Sequence, residues 1–174
     1  GDASELIDVY VTNIAQYSGL ENEAVTVDNV SSAGDVNTIA NATSGKVTAT
    51  VTADTAANLN TALTNASATD ALALTINAGN AKAADLIALD GKTSVAVGAT
   101  AVTTITGNGG DIKTVLESSG INKAANVNIN VDSGTATVAQ QIAIDAKTTG
   151  TITATIAEGD VTTLKTLTSS GGVH

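Results

Sequence analysis

A short phrase returns three times along this chain, as Val36–Thr43, Leu86–Thr93 and Ile142–Thr148, with closing threonines 50 and 55 residues apart. A second phrase recurs out of step with it, as Leu59–Leu63, Ile112–Leu116 and Leu164–Leu167, at offsets of 53 and 52. Internal self-similarity at a fixed period restricts a chain to folds built from copies of one small unit, each burying its apolar face against the next. The repeat here is about 50–55 residues long and consists of two similar halves.

The segments between the phrases alternate apolar and polar residues: Val25/Val27, Val47/Ala49/Val51, Leu72/Leu74/Ile76, Val95/Val97, Val127/Ile129/Val131 and Ile152/Ala154/Ile156. Period two with β-branched residues predicts strands. The phrases place apolar residues at i, i+3 and i+4, as in Leu59, Ala62 and Leu63, which predicts helices of two to three turns. A further helical unit opens the chain between Leu6 and Tyr17. Asp35, Asp54, Asp85, Asp111 and Asp160 stand at helix starts, where a carboxylate can cap free N–H groups. Gly45, Gly91, Gly120 and Gly150 stand just past helices, where a left-handed residue commonly ends one.

Strands separated by helices run parallel, joined by right-handed crossovers. The fold class expected is therefore α/β: a short right-handed α/β solenoid of about six strand–helix coils, with one parallel β-sheet and a row of short helices. Residues 1–174 read as a single repeat domain belonging to a longer array of such double coils.

Composition agrees. Hydrophobic residues make up 43% of the chain, yet Tyr10 and Tyr17 are the only aromatics and Met, Cys and Pro are absent, so the core must be aliphatic. A globular domain usually leans on aromatics that bury roughly 150–250 Å² each, whereas stacked repeats can bury a continuous aliphatic seam. The net charge of −10 and the absence of arginine argue against nucleic-acid binding. No apolar run reaches the roughly 18 residues a membrane span needs, so no membrane insertion is expected.

Nothing in the pattern demands a catalytic, cofactor-binding or metal-ligating residue, and no cofactor is expected. The acidic residues recur at one place in successive coils, as caps do, whereas an active site needs one special place. The single histidine, His174, is the last residue, which makes a Ser–His–Asp triad or a zinc site implausible. Gly107–Asp111 faintly resembles a calcium-binding glycine-rich repeat, but it occurs once, and a loop before a helix is the simpler reading. The candidate contact residues are the outward strand positions Thr26, Thr48, Thr50, Thr75, Asn128, Asn130, Thr153 and Thr155. In register they would form ladders on a flat face, and the Thr-x-Thr triplets at Thr48–Thr50 and Thr153–Thr155 are of the kind seen on ice-binding solenoids. Solvated β-branched residues on an open face are the simpler account.

The phrases Ser18–Val27, Leu89-Asp90-Gly91-Lys92-Thr93, Val102-Thr103-Thr104-Ile105-Thr106-Gly107 and Ser118-Ser119-Gly120-Ile121 resemble the tandem repeats of very long proteins from marine cyanobacteria and their phages. The likeness spans nearly the whole chain and departs from the family pattern at Asn41-Ala42-Thr43 and after Thr64. It implies a virion structural or cell-surface protein and brings no catalytic residues. The function expected is a spacer or scaffold of a virion appendage or a large extracellular protein. Its partners would be neighbouring repeats of the same chain and other virion or cell-surface proteins. An adhesin or receptor-binding rod using the Thr/Asn face is the alternative, with ice binding a third.

Overall fold

The structure is a computed structural model, and it describes residues 1–167 of the chain. An opening helix α1 (Ala3–Ile7) runs into a π-helical turn at Asp8–Thr12 and a 3-10 turn at Ile14–Gln16. Six units of strand followed by helix come next. They are β1 (Val25–Ser31) with α2 (Ala33–Ala42), and β2 (Val47–Val51) with α3 (Ala56–Ala62). The third has β3 (Ala71–Ala73), β4 (Gly79–Lys82) and α4 (Ala83–Asp90); the fourth has β5 (Val97–Ala99), β6 (Val102–Gly107) and α5 (Gly109–Glu117). The fifth has β7 (Ile121–Lys123), β8 (Asn128–Val131) and α6 (Val138–Asp145), and the sixth β9 (Ile152–Thr153) and α7 (Val161–Leu164).

Every strand pairing is parallel, and each joins a unit to the one that follows it. The α/β class and the parallel strands are therefore as the sequence predicts. The single sheet is not. Among the described residues there are three sheets, β1-β2-β3, β4-β6-β8-β9 and β5-β7, linked by isolated bridges such as Thr75 with Gly98 and Asp54 with Ile76. The cause is local: from the third unit to the fifth the chain turns between two helices and lays down two short strands in place of one. The earlier stretch pairs in one sheet and the later stretch in another.

The core is aliphatic. Its buried apolar residues are Ala, Val, Leu and Ile, with partly buried Tyr10 packed against them. Inward strand positions such as Val47, Ala49 and Val51 face the fourth position of each helix, where Val36, Leu59, Leu86 and Ile112 are 0–1% exposed. Three or four residues on, Ile39, Leu63, Leu89, Val115 and Ile144 are fully enclosed as well. One small stripe per short helix is enough because successive helices pack on one another from α1 to α6. α7 has no buried residue.

The expected acidic caps shift by a few residues. The side chains that accept the first free N–H groups are Ser32, Thr55, Asn108 and Thr137, together with Asp160, the one predicted cap that acts as such. Asp35, Asp85 and Asp111 sit three residues into their helices, close to the positive end of the dipole. Asp35 accepts from the Ser32 hydroxyl, Asp111 from the Asn108 amide and Asp85 from Asn60 of the preceding helix. Asp54 precedes the cap of α3 and accepts from Thr55 N–H and from Asn58.

The glycines past the helices are likewise present for another reason. Positive φ angles occur at Gly19, Gly79, Gly107 and Gly134, and at none of Gly45, Gly91, Gly120 and Gly150. A Cβ on Gly45 would overlap the carbonyl oxygen of Glu23, one on Gly150 that of Val127, and one on Gly120 the carboxylate of Asp90. These three glycines let neighbouring units approach more closely than any side chain would permit.

Candidate functional site

The feature that recurs at each junction between units is a hydroxyl or carboxylate just past a helix, turned back on the preceding unit. At the first junction the Thr43 hydroxyl donates to Glu23 O (2.8 Å) and accepts from Gly45 N–H (3.0 Å), while Ser44 N–H reaches Glu21 O (2.8 Å). At the fifth, Thr148 donates to Val127 O (2.6 Å), Gly150 N–H donates to Thr148 Oγ1 (3.0 Å), and Thr149 N–H reaches Ala125 O (2.9 Å). Thr93 does more at the third, donating to Leu72 O (2.8 Å) and accepting from Leu72 N–H (2.9 Å) and Val95 N–H (3.0 Å). Ser118 bridges the fourth by donating to Asp90 (3.1 Å) and accepting from Gly120 N–H.

The second junction lacks the motif, as the departure after Thr64 anticipates, and a buried carboxylate serves there. Asp70 accepts from Val47 N–H (2.8 Å) through one oxygen and from Ser67 N–H (2.8 Å) through the other. Thr43, Thr93, Thr148 and Asp70 are all below 9% exposed. Buried polar groups are tolerated when hydrogen-bonded, and here each bond also joins two units. Lys92, expected at its own helix end, instead donates to Asn60 O (3.2 Å) and Leu63 O (2.6 Å) at the end of α3 in the preceding unit.

The outward residues chosen from sequence are all exposed, but they do not lie on one sheet. Thr26 pairs with Thr48, and Thr50 is on the same strand as Thr48, all in the β1-β2-β3 sheet. Thr75 stands at the bridge to Gly98. Asn128, Asn130 and Thr153 belong to β4-β6-β8-β9, where Asn130 pairs with Thr153, and Thr155 lies beyond β9. Two rows run through that second sheet, Asn80–Thr104–Asn128 and Lys82–Thr106–Asn130–Thr153. Sequence reasoning missed Asn80, Lys82, Thr104 and Thr106 in these rows. The Thr-Thr pair within Val102–Gly107 is the signal that could have found two of them.

The concavities are open. The largest, about 520 Å³, is bordered by Thr100, Ser118, Asn122, Lys123 and Lys147. Desolvation, and then repulsion from Lys147, hold the Lys123 ammonium below the ordinary lysine value, partly offset by Asp90. Its donors are used on Ser118 O (2.9 Å) and Ile121 O (3.3 Å). Gly107–Asp111 forms the cap of α5, with Asn108 accepting from Asp111 N–H (2.9 Å). Among the described residues no group of three or more His, Cys, Asp and Glu could hold a metal ion, and no helix is long and apolar enough to cross a membrane. His174 lies outside the described residues. No family model, no curated protein and no solved structure matches the chain.

Proposed function

We propose that the chain is a structural repeat module, a spacer or scaffold with no catalytic role, in which the six units wind as coils of a short right-handed α/β solenoid. The observation that carries the reading is the junction device. Parallel pairing, an enclosed aliphatic stripe and a buried hydroxyl or carboxylate bridge recur between successive units, so the conserved chemistry of the repeat is spent on holding each unit to the next. In such an array the number of units sets reach, and an acidic, Thr- and Asn-rich exterior keeps it dispersed.

The resemblance to long cyanobacterial and cyanophage repeat proteins supports a place on a virion appendage or a cell surface, with neighbouring repeats and other surface proteins as partners. Nucleic acid and the membrane interior are not among them. A contact role, as in an adhesin or receptor-binding rod, is the second reading, favoured by the Asn80–Thr104–Asn128 and Lys82–Thr106–Asn130–Thr153 rows. Immunogold microscopy with an antibody against this domain, on purified phage and on host cells, tests the placement. Gold on virions or on envelopes supports it, and gold confined to the cell interior refutes it.

A further inference from the structure

The two ends of the stack are built differently. At the first, β1 carries a bulge between Thr26 and Val30, the Asp28 N–H donates to Gly1 O (3.0 Å), and Ala3 N–H donates to Asn29 (3.1 Å), so the outer edge is bent and partly paired. Bulges and covering segments are how sheets close an edge to further strands. Residues 1–45 also hold seven acidic side chains and no lysine.

At the other end, β9 pairs with β8 alone among the described residues. Beside it lies a mainly apolar recess of about 260 Å³ bordered by Gln141, Ile152, Thr153, Ala154, Ile156 and Leu167. Gln141 is the departure from pattern. It occupies the fourth helical position of α6, which is Val36, Leu59, Leu86 and Ile112 in the earlier helices. It is 3% exposed, and its Oε1 has no hydrogen-bond partner. A buried unpaired amide oxygen costs about 1–3 kcal/mol, and it borders the recess at the open edge. Residues 121–167 carry three lysines against four acidic residues, so this end is almost balanced in charge.

We infer that the β9 edge and its recess form a self-association site, where a second copy of this chain docks across a twofold axis. Two edge strands related by such an axis meet antiparallel, and a backbone N–H of the incoming edge supplies the partner that Gln141 Oε1 lacks. A second copy fits better by this end than by the other, because contact through the β1 end would bring seven carboxylates onto a bent, partly covered edge. Contact between unlike ends would not close and would grow into chains. The inference stands whether or not the spacer reading holds.

Sedimentation velocity on the whole chain at rising concentration tests it. The expected result is a species of twice the 17.0 kDa monomer and nothing larger. Thr155→Lys, at an exposed position beside the edge, should weaken the dimer about tenfold or more. Thr26→Lys on β1 should leave it unchanged. Gln141→Ile, which restores the aliphatic pattern, should raise the melting temperature of the monomer while weakening the dimer. A monomer at every concentration, species beyond the dimer, loss of the dimer in Thr26→Lys, or a Gln141→Ile variant that gains stability with unaltered association would each overturn it.

Discussion

Replacing Thr93 by Val tests the junction device at its most heavily used hydroxyl. Valine has nearly the shape of threonine, so the aliphatic packing stays while Oγ1 is lost. The oxygen makes three hydrogen bonds, to Leu72 O, from Leu72 N–H and from Val95 N–H, and Thr93 is 5% exposed. At about 0.5–1.5 kcal/mol net for each bond, the loss should be about 3 kcal/mol, and desolvation of the stranded Leu72 groups keeps it from being smaller. For a domain of this size that lowers the melting temperature by about 6–12 °C. Urea unfolding followed by circular dichroism at 222 nm gives the free energy directly. Thr48→Val, on the exposed face of β2, should change stability by less than about 0.5 kcal/mol. Thr93→Ser, which keeps the hydroxyl, should recover most of the loss. A Thr93→Val variant within 1 kcal/mol of the parent would refute the argument that these hydroxyls hold the units together.

Gly150→Ala should cost about 3 kcal/mol or more in the same assay, because its Cβ would overlap the Val127 carbonyl, whereas Gly159→Ala, with open space around it, should be near neutral. Leu86→Ala, at a fully enclosed position, should cost about 2–5 kcal/mol in urea unfolding. The Lys123 side-chain resonances should titrate below the ordinary lysine value, and Lys147→Met should move them back up. With the folded value lowered, the unfolded chain binds the proton more tightly. Stability should therefore rise with pH across the window between the folded value and the ordinary one, and the penalty should be fully present below it.

Sequence periodicity located the six helices and the strands whose alternation is unbroken, such as Val47–Val51. It missed β6 for a physical reason. The pairing shifts register between Gly79 and Asn80, so Val102 and Ile105, three residues apart, both face inward and the period of two disappears. β4 holds one buried side chain, Ala81, and β7 is three residues long, too little for a pattern to register. Val95 was expected inside but is 41% exposed, since it stands two residues past Thr93 where Gly45, Gly120 and Gly150 stand at other junctions. The same bulge that bends β1 turns Val30 outward. The junction hydroxyls were legible as the closing threonines of the repeated phrase. Their role was not, because a threonine after a helix reads locally as part of a loop, and its partners lie 20–23 residues earlier.

A duplication experiment tests the central claim that the fold is a stack in which each unit bonds to its neighbours. A second copy of residues 43–92, inserted between Lys92 and Thr93, keeps the register of closing threonines. Small-angle X-ray scattering should then show the particle lengthened by about 10 Å, two strand spacings, with its cross-section unchanged. A particle that swells in cross-section, or unfolds, would contradict the account.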